Sequence, residues 1–304
     1  AIIIPCYKAS KTIRFVVKNI FKEFFLLKNK FSCKIILIDD FCPEKSWLKI
    51  NDFKDIKIIH NKINLGVGGA TLNGMQYALK NNYNIIIKLD ADAQHSPNYL
   101  RELIPFIHSL PSDELHFSKG PRYKVALKLL NIPLLRRIGT LFLDPLARLA
   151  LSYRGLSDIT NGFIGLNSMS AKFLIYSNSS VKIEKRYLFE SSLLAKCSEL
   201  EFKLNQFCIL PQYGDHWYSS MNAFSMIIPL LIFWFKTALA RILRKYFFNW
   251  NLGSLLLLIT FTNSSICIYL FFKSVLPVVK NSILVTAGTS SAFIGSGILS
   301  IVTF

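Results

Sequence analysis

The sequence predicts an α/β layer fold with mostly parallel strands, followed by a membrane-associated C-terminal part. Three observations carry this. Up to about Asn222, short β-rich runs alternate with longer helical patterns, the order that a parallel sheet with crossover helices requires. Beyond Asn222 the composition turns strongly apolar. Over the whole chain, 52% hydrophobic residues and a mean hydropathy of +0.36 exceed what a soluble domain needs, while 18% charged residues are too many for membrane spans alone.

In chain order, Ala1 to Ile4 reads as the first strand and Thr12 to Lys28 as a helix. Strands at Lys34 to Ile38 and Ile56 to His60 follow, then a helix over Gly69 to Lys80 and a strand over Ile85 to Leu89. Each strand runs into a polar loop, where open α/β sheets hold ligands, so this is a Rossmann-like nucleotide-binding half. Val125 to Tyr153 mixes Leu and Ile with Lys128, Arg136, Arg137 and Arg148, which predicts amphipathic helices whose basic face favours a membrane surface over the sheet. The opening Ala-Ile-Ile-Ile-Pro has no basic n-region, and no signal peptide is expected.

Phe224 to Phe235 is almost wholly apolar, and Lys236 to Tyr246 sets Lys236, Arg241, Arg244 and Lys245 among Ala, Leu and Ile. That pattern predicts a juxtamembrane helix lying in the interface. Leu252 to Phe272 is uncharged over 21 positions, which at about 1.5 Å per residue crosses a hydrocarbon core of about 30 Å. Ser282 to Phe304 is a second uncharged stretch in which Gly288, Ser291, Gly295 and Gly297 allow close helix packing. The expected division is a catalytic domain over 1–222, an interfacial segment over 223–250 and a two-helix transmembrane hairpin over 251–304. The basic cluster before Leu252 places the catalytic domain on the cytoplasmic side.

A net charge of +18 attracts nucleic acid, anionic lipid or phosphorylated substrates alike, so charge by itself selects no partner. No aromatic-and-basic recognition motif accompanies it, and nucleic acid is not an expected partner. The six cysteines form no Cys-x-x-Cys pair and read as structural thiols.

The chemistry concentrates in Ile85-Ile86-Ile87-Lys88-Leu89-Asp90-Ala91-Asp92-Ala93-Gln94-His95-Ser96-Pro97. A hydrophobic strand delivers two carboxylates, one residue apart, into a loop that leads to a helix. Hard cations such as Mg²⁺ or Mn²⁺ take oxygen ligands, so Asp90 and Asp92, supplemented by Gln94, are the candidate metal ligands. A metal there would neutralise charge on a departing diphosphate. Asp39 and Asp40 follow the second strand, fit to accept hydrogen bonds from a nucleoside or to cap the next turn. The glycines at 66, 68 and 69 permit close backbone approach and open a helix.

This run resembles the Asp-x-Asp-x-Gln-His-x-Pro signature of family 2 glycosyltransferases of the dolichyl-phosphate mannose synthase and polyprenyl-phosphate glycosyltransferase type. Pro5-Cys6-Tyr7 resembles their Pro-x-Tyr opening loop, Asp39-Asp40 their paired Asp, and Asn64 to Ala70 their Asn-x-Gly-x-Gly-x-Ala loop. The resemblance implies a GT-A fold that uses a divalent cation. Its donor site would be formed by Pro5, Tyr7, Asp39, Asp40, Asn64, Gly66, Gly68 and Asp90. Lys119 to Tyr123 resembles the Gly-x-Arg segment, giving Arg122 a grip on phosphate. Asp158-Ile159-Thr160-Asn161-Gly162-Phe163 resembles the acceptor-side run, Arg186 to Glu190 the Arg-Tyr-x-Phe-Glu segment, and Tyr213-Gly214-Asp215 the late Tyr-Gly-Asp. Asp92, Arg122 and Glu190 are the expected catalytic residues, and Asp158, Asn161, Gly162, Arg186 and Asp215 the acceptor side. Two departures stand out. Lys8-Ala9 replaces the common Asn-Glu, and His216 stands where Glu is usual.

The expected reaction is inverting transfer of a sugar from a UDP- or GDP-linked donor to a polyprenyl phosphate such as undecaprenyl or dolichyl phosphate. Transfer to a hydroxyl of a saccharide or glycolipid, the alternative, would instead require a base, for which Glu190 and Asp215 are the candidates. A non-catalytic sugar-nucleotide sensor is the third possibility, and similar enzymes are often homo-oligomers.

Overall fold

The computed structural model describes residues 1–120, 134–153, 155–207, 223–249 and 252–281. Contacts divide the chain into two compact units, Ala1–Ala238 and Leu239–Phe304.

The first unit is built on a seven-stranded sheet in the order β3-β2-β1-β4-β6-β5-β7. β1 (Ile2–Cys6), β2 (Ile35–Asp39), β3 (Ile56–His60) and β4 (Ile85–Lys88) are parallel to one another. β6 (Ile164–Asn167) runs antiparallel to both β4 and β5 (His116–Lys119), and β7 (Lys203–Gln206) pairs parallel with β5. The sheet is therefore mixed and mostly parallel, as the sequence predicts. β1 and β2 are buried at every position, which is why each opens as a run of Ile and Leu rather than as an alternating pattern.

Helices cover both faces. On one side, α1 (Ile13–Leu27) turns Ile13, Val16, Val17, Ile20, Phe24 and Leu27 inward at helical spacing. It shares a core with α3 (Leu100–Ser109) and with Ile2, Ile4, Leu37 and Leu89. The other face carries α2 (Gly66–Lys80), α5 (Ser168–Tyr176) and α6 (Phe189–Glu199). The expected membrane-surface segment resolves differently where it is described. α4 (Leu134–Leu151) buries Leu143, Ala147, Ala150 and Leu151 in the core that holds Leu193 and Leu194 of α6. Its Arg148 points Nε at the Leu156 carbonyl. Burial of this apolar stripe outweighs any pull of the basic residues toward lipid headgroups, at roughly 25 cal/mol per Å² of apolar surface.

α7 (Ala223–Ile242) packs Met226, Leu230, Trp234 and Ala238 into the same core. These four are one i, i+4 stripe. On its other faces Ile228, Leu231, Ile232 and Phe235 are exposed. The second unit includes the end of α7, a π-helical turn, Leu243–Phe248, and α8 (Leu252–Asn281). By length and composition, Met226–Phe248 and Leu252–Ser274 are each apolar enough to cross a membrane. The first of these coincides with the segment expected to lie in the interface, and the expected second arm of the hairpin, Ser282 to Phe304, lies outside the described residues.

Candidate active site

Because β1 to β4 are parallel, their carboxyl ends share one edge, and the sequence-predicted donor residues Pro5, Tyr7, Asp39, Asp40 and Asp90 meet there. Pro5 lies beyond the last β1–β4 rung, so its missing N–H leaves that ladder intact. Tyr7 follows on the surface, 44% exposed. Asp39 receives a 3.2 Å hydrogen bond from the Cys42 backbone N–H and pairs through Oδ2 with His60 Nδ1 at 2.8 Å.

Asp40 is buried and accepts from three N–H groups, those of Leu65 and Gly66 in the backbone and of Asn61 Nδ2, each at 2.8 Å. Asn64 Nδ2 donates to its carbonyl at 3.1 Å. This carboxylate caps the start of α2, the second of the two roles open to it in the sequence.

The glycine loop approaches protein closely. Gly68 and Gly69 donate their backbone N–H groups to the Lys185 carbonyl at 2.8 and 3.1 Å. A Cβ on Gly68 would lie 2.5 Å from both the Glu184 carbonyl and the Phe189 ring. Gly66 has φ +81° and would press a Cβ to 2.7 Å from Arg186 Cγ. The glycines therefore let residues 184–189 lie against the N-terminus of α2, and that contact positions Glu190 in the first turn of α6. Arg186 is exposed and donates through Nη2 to the Asn64 carbonyl at 3.2 Å.

Beyond β4, the Asp90–Asp92 loop is fixed from inside. Thr12 Oγ1 donates to the Ala91 carbonyl at 2.6 Å, Ala93 takes a left-handed φ of 62°, and the Gln94 backbone N–H donates to Asp92 Oδ1 at 3.0 Å. His95 is buried, stacks on Phe163 with ring centroids 5.7 Å apart, and brings Nδ1 to 4.0 Å from Asp90 Oδ2.

At the centre is Lys88. Its side chain is 0% exposed, with Nζ 2.8 Å from Asp90 Oδ1 and 2.9 Å from Glu190 Oε1. Burial alone would lower the pKa of this ammonium, but the two carboxylates outweigh it and raise it above the ordinary lysine value.

The acceptor-side run packs against this pair. Asp158 and Asn161 are buried and organise their own loop, with Asn161 Nδ2 donating to Asp158 Oδ2 at 3.2 Å and the Phe163 N–H to Asn161 Oδ1 at 2.7 Å. Gly162 touches the site itself. A Cβ there would fall 2.3 Å from both Asp90 Oδ2 and Lys88 Nζ. Buried Lys119 holds the loop through the carbonyls of Ile159 and Asn161. Asp144 of α4 receives the Asp158 N–H at 2.8 Å, and burial pushes its carboxyl up to about 6 despite that hydrogen bond. Arg122 and Asp215 lie outside the described residues.

Lys88, Lys119 and Asp144 are additions to the sequence-predicted set. A lysine at the end of an apolar strand was a readable signal for Lys88, because an ammonium in a buried strand needs partners, whereas Lys119 ends the mixed run His116-Phe117-Ser118-Lys119 and gives no such signal. Asp144 sits within an amphipathic helical pattern and carries no such mark.

Among the described residues, no cluster of three or more His, Cys, Asp and Glu is placed as a metal cage. The Asp90–Asp92 loop nevertheless offers only oxygen donors in two carboxylates and one side-chain amide, a set that fits a hard cation whose remaining positions go to phosphate oxygens.

The fold is of the GT-A kind. The family model of glycosyl transferase family 2 matches residues 1–149. The chain is a glycosyltransferase, and its first half is a family 2 domain. It is 26% identical over 250 residues to UDP-N-acetylglucosamine–dolichyl-phosphate N-acetylglucosaminyltransferase of Methanococcus voltae, covering 77% of this chain and 92% of that protein. A second relative, dolichol-phosphate mannosyltransferase of Pyrococcus furiosus, is 25% identical over 170 residues, 55% of this chain and 45% of its own length. Among solved structures, mannosyl-3-phosphoglycerate synthase from Rubrobacter xylanophilus shares the fold with a TM-score of 0.55 at 15% identity, covering 83% of this chain and 75% of that one.

Proposed function

We propose that this enzyme transfers a sugar from a nucleotide diphosphate donor to a polyprenyl phosphate by a single inverting displacement, with its catalytic unit on the cytoplasmic side of a membrane. The observation that carries the reading is the convergence of Asp90, Lys88, Gly162 and Glu190 where the nucleotide-binding strands end. Donor-side and acceptor-side segments thereby meet at one point. The 92% coverage of a dolichyl-phosphate N-acetylglucosaminyltransferase supports the acceptor class.

In this reading Tyr7 and Asp39 face the nucleoside, and Asp40 acts through the loop it caps. Asp90 and Asp92, supplemented by Gln94, would hold Mg²⁺ or Mn²⁺, which when bound neutralises charge on the diphosphate. Arg122 is assigned to phosphate and Asp215 to the acceptor side. The Asp158–Gly162 loop shapes the acceptor's approach to the anomeric carbon. A polyprenyl phosphate arrives ionised near neutral pH, so its oxygen attacks without a strong base, and positioning supplies much of the rate. Glu190 has Oε1 engaged by Lys88, an arrangement suited to orienting an acceptor.

The stripe of α7 in the catalytic core leaves Ile228, Leu231, Ile232 and Phe235 exposed for the membrane interface, with α8 as a span. The test is to incubate the detergent-solubilised chain with labelled UDP and GDP sugars, Mg²⁺ or Mn²⁺, and undecaprenyl or dolichyl phosphate. Lipid-linked sugar that partitions into organic solvent is expected with one donor class, and no lipid-linked product with any donor refutes the proposal. Glu190→Gln is expected to retain at least a tenth of the turnover on a phosphate acceptor. A loss beyond about 10³-fold with donor binding intact would assign Glu190 as the base for a hydroxyl acceptor.

A further inference from the structure

We infer that Lys88 is a positioning residue that links the donor-side carboxylate Asp90 to the acceptor-side carboxylate Glu190, so that its ammonium competes with a cation for Asp90 while Asp90 and Glu190 share that one ammonium. The inference rests on the proposed cation role of Asp90 and Asp92.

The geometry leaves Lys88 little freedom. Its side chain is fully buried, and Nζ stands 2.8 Å from Asp90 Oδ1 and 2.9 Å from Glu190 Oε1. Gly162 walls one side so closely that a Cβ there would lie 2.3 Å from Nζ. On another side the Phe189 ring lies with its centroid 5.7 Å from Nζ. Phe189 is itself seated against Gly68, so Glu190 cannot drift from Lys88 without unseating the start of α6. Lys88 and Glu190 are 102 residues apart in sequence, and the ammonium is the shared contact between two segments with different tasks.

Charge gives the link a direction. A divalent cation drawn to Asp90 meets a fixed positive charge already on one of that carboxylate's oxygens, and like charges at such spacing in a buried site repel strongly. Cation binding therefore weakens the Lys88–Asp90 contact and leaves Lys88 held by Glu190. In the reverse direction, a Glu190 that holds Lys88 leaves Asp90 more available to the cation. Lys88 thereby lowers cation affinity in the resting enzyme and fixes the acceptor-side carboxylate when the donor site is filled.

Mn²⁺ binding to the full chain in detergent, followed by electron paramagnetic resonance alone and with UDP or GDP present, tests this. Lys88→Met keeps the approximate shape of the side chain and removes its charge. It is expected to tighten Mn²⁺ binding at least tenfold while slowing transfer at least tenfold, a combination that a residue needed only for folding does not produce. Glu190→Gln keeps the inference testable if the first variant misfolds. It is expected to weaken Mn²⁺ binding severalfold, and to do so by less than twofold when Lys88→Met is also present. Unchanged or weaker Mn²⁺ binding in Lys88→Met, or an unchanged affinity in Glu190→Gln, overturns the inference and leaves the cation reading standing. Absence of Mn²⁺ binding by the wild-type chain overturns both.

Discussion

Replacing Gly162 by Ala tests the site with the smallest possible insertion. The added methyl would lie 2.3 Å from Asp90 Oδ2 and 2.3 Å from Lys88 Nζ, where ordinary contact begins at 3.4 Å. The ion pair or the loop must therefore retreat by about 1 Å, and displacements of that size cost about 10²-fold in rate. That is about 2.7 kcal/mol of transition-state stabilisation. Overpacking a buried site adds roughly 1–3 kcal/mol of destabilisation. Because Asp158, Asn161 and Lys119 hold the loop by several hydrogen bonds, the chain is expected to fold and melt lower by a few degrees. The assay pairs sugar transfer with thermal unfolding of the same detergent-solubilised preparation. Full activity with an unchanged melting temperature would refute the claim that this glycine exists to admit the Lys88–Asp90 pair.

Two further predictions concern the loops around that pair. Asp40→Ala leaves three N–H donors at Asn61, Leu65 and Gly66 without their carboxylate; hydrogen bonds to charged groups are worth about 1.5–3 kcal/mol each, so a loss of at least about 3 kcal/mol is expected by denaturant titration. A loss under about 1 kcal/mol would show that the cap is dispensable. Asp144 has its carboxyl raised from 3.8 to about 6, so the folded state holds this proton more tightly than the unfolded chain does. Its contribution is full below about pH 4 and is lost as pH rises through 6, by up to about 3 kcal/mol. Wild type is therefore expected to lose stability relative to Asp144→Asn between pH 4 and 7, and parallel stability curves would contradict the assignment.

The sequence determined much of this protein by itself. Strands buried on both faces are near-continuous apolar runs, so Ile2–Ile4 and Ile35–Ile38 announce themselves without any knowledge of their neighbours. A carboxylate pair after the strand Ile85–Lys88 likewise marks the carboxyl edge of the sheet, because loops there emerge together whenever strands are parallel.

What the tertiary structure decided are the relations between distant segments. The glycines after Asn64 read as permitting close approach and opening a helix; they do open α2, but that the segment seated against them is residues 184–189 with the ring of Phe189 was not visible. The basic helix ending at Leu151 read as fit either to pack on the sheet or to lie at a membrane surface, with the surface slightly favoured, and it buries Leu143, Ala147 and Ala150 in the core. Lys88 was visible as a charge in an apolar strand, but its partner in Glu190 was not. Local periodicity reports which face of an element is apolar, whereas the identity of what covers that face depends on chain crossings that only the packed fold fixes.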